Sequence, residues 1–241
     1  MPETNLLSSL KVKIFADGAD LDGIRRLAAL PFIAGFTTNP TLMRKSGIDN
    51  YERFARDLLA VITDRPVSLE VFADDPAEMV RQGRKIAAWG RNVNVKIPVT
   101  DTQGRLTSEV IRELSAGGAT VNVTAMMTAG QVEQVLGCIA PGAAAFVSVF
   151  AGRVADTGVD PEPVMREVMD MLAARREVRL IWASPREVLN IFQADRVGCD
   201  IITVAHDLLA KLNVLGRNLE QFSLETVRMF RDDALKTGFS I

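Results

Sequence analysis

Lys96 stands in the segment NVNVKI, where Val93, Val95 and Ile97 alternate with Asn94 and Lys96. In a strand, successive side chains face opposite sides, so the apolar set and the polar set lie on different faces and Lys96 shares its face with Asn94. A lysine drawn into an apolar interior must be paired or lose its proton. A neutral lysine amine attacks a ketone to form an iminium, and the iminium lets a neighbouring carbon–carbon bond break once a base takes the adjacent hydroxyl proton. Asp17, which ends KVKIFAD, is the candidate base. Glu70 in VSLEVF and Thr124 in ATVNVT could hold the water that shuttles protons during dehydration of the carbinolamine. The competing structural reading of Lys96 is an ion pair at the strand end with Asp17 or Glu70.

The same alternation turns Asn122 and Thr124 to one side, pairs Ser148 with Phe150 in AAFVSVF, and pairs Glu70 with Phe72. Thr37, Thr38 and Asn39 follow the segment FIAGFT. Arg153 falls in the loop VFAGRVADTG, and Ser184 and Arg186 fall in WASPRE. Two arginines, a serine hydroxyl and a nearby helix start form a cradle for a phosphate, since the guanidinium fork matches two phosphate oxygens. A sulfonate or carboxylate would satisfy the same groups.

These residues need elements that bring them to one place. Eight short β-branched runs, residues 11–17, 32–37, 67–72, 92–97, 119–124, 144–150, 178–184 and 200–204, alternate with amphipathic runs such as YERFARDLLAVI, PAEMVRQGRKIAAWG and PEPVMREVMDMLAARR. That alternation marks parallel strands joined by crossover helices. Eight such units close most naturally into a TIM barrel of the α/β class, with an open doubly wound sheet as the alternative. In a barrel the last inward positions of each strand meet at the C-terminal mouth. Residues 219–241 add a C-terminal helix with an apolar tail, and no linker or composition shift divides residues 1–241 into more than one domain.

Composition narrows the partners. With 28 basic and 30 acidic residues spread along the chain, the formal net charge is -2, and no basic patch suggests nucleic acid or a membrane surface. The N-terminal MPETNLLSSL lacks the pattern of a signal peptide, and no apolar run reaches spanning length, which gives a soluble, cytoplasmic expectation. Cys138 and Cys199 read as small core residues, and the single histidine, His206, reads as a helix-start residue before DLLAKL. No metal site is expected from one histidine and two separated cysteines.

ADGAD around Asp17, GFTTNPTL around Asn39, VKIPVT around Lys96, VNVTAMMT around Thr124, SVFAGR from Ser148 and ASPR to Arg186 carry a family likeness. In these motifs the chain resembles the small transaldolases and the related fructose 6-phosphate aldolases over essentially its whole length. The resemblance implies a Schiff-base enzyme without a cofactor. It would transfer a dihydroxyacetone unit from fructose 6-phosphate or sedoheptulose 7-phosphate to an aldose phosphate, as in the pentose phosphate pathway. It implies Lys96 as the Schiff-base lysine and Asp17 as the acid/base residue, with Glu70 and Thr124 beside them. Thr37, Asn39, Asn122, Ser148 and Phe150 would contact the sugar, and Arg153, Ser184 and Arg186 the phosphate. Glu70 and Phe150 match the transferase branch, whereas the aldolase branch resembles a glutamine and a tyrosine there. Pro185, where phenylalanine is commoner, and the large Trp182 depart from the pattern. The partners implied are sugar phosphates and further copies of the chain, in a pentamer or decamer built through the C-terminal helix. The rival readings are a fructose 6-phosphate aldolase, a transaldolase for a sulfonated or otherwise modified ketose, and a non-catalytic sugar-phosphate-binding barrel.

Overall fold

The computed structural model describes residues 4–238; the last three residues of the apolar tail, 239–241, and the first three lie outside the described residues. Eight parallel strands close into a barrel in chain order: β1 (Lys13–Asp17), β2 (Ile33–Thr37), β3 (Val67–Glu70), β4 (Val93–Pro98), β5 (Thr120–Met126), β6 (Ala145–Val149), β7 (Val178–Trp182) and β8 (Ile201–Ala205). β1 pairs with β8 as well as β2, which closes the ring and excludes the open sheet. This is a TIM barrel with a C-terminal helix, Leu219–Thr237.

Strand parity divides the apolar residues into two cores. Outward side chains such as Val95, Val121, Val123, Leu180 and Trp182 are fully buried between barrel and helices. Trp182 is therefore large without crowding the mouth, because it points away from it. Inside the barrel a small plug of Phe15, Ile181 and Ile201, with Ala34 and Phe146 against it, fills the lower half. The upper half is polar. There Asn122 donates through Nδ2 to Ser68 Oγ at 3.1 Å and accepts through Oδ1 from Ser148 at 2.7 Å. Ser68, Asn122 and Ser148 thus satisfy one another across β3, β5 and β6, as most groups removed from water do.

Helix starts are fixed by local chemistry. Asn39 and Asp75 each cap a helix whose first residue is a proline, Pro40–Lys45 and Pro76–Ala87, and Thr128 with Gln131 forms a capping box on Ala129–Leu136. Among the described residues no helix is long and apolar enough to cross a membrane. His206 begins the helix His206–Ala210, and Cys138 and Cys199 are buried.

Candidate active site

The C-terminal ends of the strands surround a cavity of about 440 Å³. Ten residues predicted from strand ends and parity line it, Asp17, Thr37, Asn39, Glu70, Lys96, Asn122, Thr124, Ser148, Phe150 and Ser184, together with Arg153. Arg186 does not. Lys96 is buried, with 6% of its surface exposed. Its ammonium lies 3.0 Å from Glu70 Oε2 and donates to the Thr38 carbonyl at 2.9 Å. β3 and β4 pair Glu70 with Lys96 directly, so the ion pair follows from register. Tyr51 donates its hydroxyl to the Glu70 carbonyl at 3.0 Å and anchors this strand end from outside.

Asp17 closes β1 opposite Thr37 of β2. Thr37 donates to Asp17 Oδ1 at 2.7 Å, and Thr203 of β8 contacts the same hydroxyl, so the three form a chain across neighbouring strands. Burial pushes the Asp17 carboxyl above the usual carboxylate range; the positive charge of Lys96 and the Thr37 bond oppose the shift without cancelling it. A carboxyl raised in this way gives up its proton closer to neutrality than an ordinary one. His206 sits behind this strand end, its ring packed so closely on Gly18 that a Cβ there would lie 2.3 Å from Nε2. Burial lowers the His206 pKa, against the raising influence of Asp20 and Asp17, which favours the neutral imidazole.

Asn39 spends its Oδ1 on the Leu42 N–H at 3.0 Å as a helix cap, which leaves its amide N–H groups to face the cavity as donors. Thr124 Oγ1 is buried with no hydrogen-bond partner. The residue after it, Ala125, has φ +67°, and Ser184 has φ +61°; these are the non-glycine residues with positive φ among those described, and both line the cavity. Left-handed backbone at such residues costs on the order of 1–3 kcal/mol each, and it concentrates at sites where side-chain direction matters. At Ala125 the strand ladder slips before resuming at Met126, and Thr124 stays aimed into the mouth.

Three expectations are corrected by geometry. Arg186 turns away from the cavity and pairs with Asp156, to which Nε donates at 2.9 Å on Oδ1. Arg153 lies on a short helix, Ala151–Asp156, instead of in a loop, with its guanidinium 5.2 Å above the Phe150 ring. Phe72 does not share the inward face of Glu70, because β3 ends at Glu70; it is 48% exposed and rests on Tyr51, ring centroids 4.5 Å apart. Thr203, Ser68 and the Thr38 carbonyl were not singled out from sequence. Thr203 has the parity of a mouth residue in DIITV, and Ser68 precedes Glu70 by two, so alternation carried a signal for both.

Residues 14–241 match the family model described as Transaldolase/Fructose-6-phosphate aldolase. A probable transaldolase of Dehalococcoides mccartyi is 37% identical over 202 residues, 83% of this chain and 90% of that protein. A probable transaldolase of a Thermoanaerobacter species is 32% identical over 231 residues, 95% of this chain and 100% of that protein. Among solved structures, a putative lyase/mutase from Burkholderia cenocepacia superposes with a TM-score of 0.60 at 16% identity, covering 98% of this chain and 90% of that one. Dihydrodipicolinate synthase from Rhodopseudomonas palustris gives 0.59 at 13% identity over 94% of this chain and 80% of that one, a likeness of fold. By motif, extent and identity, the chain belongs to the transaldolase/fructose-6-phosphate aldolase family.

Proposed function

We propose that the chain is a transaldolase that works through a Schiff base on Lys96, moving a dihydroxyacetone unit between sugar phosphates. The Lys96–Glu70 ion pair is also what a purely structural lysine would make. The observation that carries this reading is that the buried Lys96 shares one cavity with Asp17, whose carboxyl pKa is raised by burial, and with the unpartnered Thr124 hydroxyl. Attack on the ketone carbonyl requires the ammonium to give up a proton, and Glu70 at 3.0 Å is the acceptor within reach. The carbinolamine then loses its hydroxyl as water, with Glu70 and the unpartnered Thr124 hydroxyl supplying the proton path. Asp17 takes the proton of the hydroxyl on the carbon beyond the bond to be broken; that bond cleaves, an aldose phosphate leaves, and the electron pair passes into an enamine on Lys96.

Asn39, through its free amide N–H groups, and the Asn122–Ser148 pair orient the hydroxyls of the retained unit. Phe150 offers no proton to the enamine, so the enamine waits for an acceptor aldehyde, and the reverse steps build the new ketose. Arg153 and Ser184 take the phosphate end. The whole chain acts as one barrel domain, and copies of it assemble through the exposed C-terminal helix.

Borohydride reduction with fructose 6-phosphate present is expected to fix a three-carbon adduct on Lys96, located by peptide mass. If folded protein gives no adduct on that lysine with several donors, the mechanism is wrong. Dihydroxyacetone released without acceptor as fast as turnover with one would replace transfer by simple aldol cleavage.

A further inference from the structure

The two arginines at the anion end stand in different electrostatic situations. Arg153 lines the cavity and makes no direct ion pair among the described residues. Arg186 lies side-on to Asp156: Nε donates to Oδ1 at 2.9 Å and to Oδ2 at 3.1 Å, and Nη2 also donates to Oδ2. Both partners are about half-exposed, so neither is locked in by burial and the guanidinium can change partners. The Arg186 backbone, in contrast, is held. Gly152 on the Asp156 helix packs so tightly on the segment after β7 that a Cβ there would lie 1.6 Å from the Ser184 carbonyl and 3.4 Å from Arg186 Cγ. Asp156 is therefore presented to Arg186 by a close contact between the helix Ala151–Asp156 and the segment that follows β7. Arg186, with a smaller contribution from Arg153, holds the Asp156 carboxyl below the usual carboxylate range, so the competing charge is present at neutral pH.

We propose that Asp156 is a specificity-determining residue that competes with the substrate's anionic tail for Arg186, so that a doubly charged phosphate recruits the guanidinium and a singly charged tail does not. The inference rests on the reading that the tail lies at the Arg153 and Ser184 end. Attraction to a guanidinium grows with the charge of the anion. Asp156 is already in place and loses no freedom of association, whereas an arriving ligand does. A sulfonate or carboxylate tail would exchange one single charge for another and leave the Asp156–Arg186 pair in place. A phosphate monoester, carrying roughly -1.5 to -2 at neutral pH, gains where the monoanion does not.

Calorimetric titration of glycerol 3-phosphate and of 2,3-dihydroxypropane-1-sulfonate, two probes with the same stub and different charge, tests this without relying on turnover. Wild-type protein is expected to prefer the phosphate by roughly tenfold or more. Asp156→Asn should tighten the phosphate about five- to tenfold and the sulfonate less, so the preference grows. In an Arg186→Ala background the same substitution should change the preference much less, leaving only the direct effect of Asp156 on the tail and on Arg153. If both probes bind and Asp156→Asn does not alter their ratio, or alters it equally without Arg186, the proposal is overturned while the phosphate-end reading stands. If neither probe binds any variant at millimolar concentration, the tail does not lie here and both fall.

Discussion

As the proposed base, Asp17 would meet two opposing demands, since a base must be ionised and its surroundings favour the protonated form. Below the ordinary carboxylate value of 3.8, folded and unfolded chains both carry the proton. Between that value and the raised one, the unfolded chain has released the proton and the folded chain retains it, so stability falls as pH rises through this window. Above it the whole cost of the buried carboxylate is present. Asp17→Asn mimics the protonated form and lacks this dependence. Its melting temperature should pull ahead of wild type as pH is raised from about 4 toward neutrality, while transfer activity drops about 10²–10⁴-fold. A constant gap across that range would show that burial does not hold the proton on Asp17. For the wild type, the acid limb of kcat/KM should lie above the ordinary carboxylate range. At this scale much of the site was legible, because Lys96, Glu70, Asn122 and Ser148 sit at positions that period-two alternation alone turns inward. The partner of a long surface side chain has no such periodicity, which is why Arg186 reads as a cavity residue and lies instead against Asp156.

At the scale of elements, the mouth depends on how the ends of β6 and β7 touch. Gly152 follows β6 by three residues and meets a backbone carbonyl, Ser184 O, which cannot rotate aside as a side-chain tip would. Ser184 in turn holds its left-handed φ of +61° against this contact. Gly152→Ala should force the two loops apart, at a cost on the order of 1–3 kcal/mol in urea unfolding. It should raise KM for phosphorylated donors more than for unphosphorylated ketoses, because Arg153 and Ser184 move together while Lys96 and Glu70 on β3 and β4 stay. Unaltered stability with unaltered KM would mean that the contact is slack. The eight strands were readable within one or two residues for most ends, since β-branched runs bounded by helical periods leave few alternatives. The ends beyond the last ladder bond were not: β3 stops at Glu70 and frees Phe72, and the segment after β6 winds into a helix around Arg153. Tertiary contacts, more than local propensity, decide such ends.

For the whole molecule, the feature without a partner is the helix Leu219–Thr237. None of its residues is buried, and Leu219, Val227, Phe230 and Leu235 are 80%, 60%, 64% and 63% exposed. Leu224, Val227 and Phe230 recur at intervals of three and so share one side. A helix in a folded protein owes most of its stability to packing an apolar face against another element, which this one lacks among the described residues. Apolar side chains so exposed are lost stabilisation of roughly 1.5–3 kcal/mol each if nothing covers them. A second copy of the chain supplies the same apolar face, which is the cover that the proposed assembly would give this helix. Wild-type protein should sediment as an oligomer, with amides of this helix protected from hydrogen exchange. The pair Val227→Glu and Phe230→Glu should give a monomer in which that protection is lost, while the barrel amides keep theirs and Lys96 still accepts a borohydride-trapped ketose. A wild-type monomer with a protected helix would refute the assembly, and would mean that these side chains find cover on their own barrel.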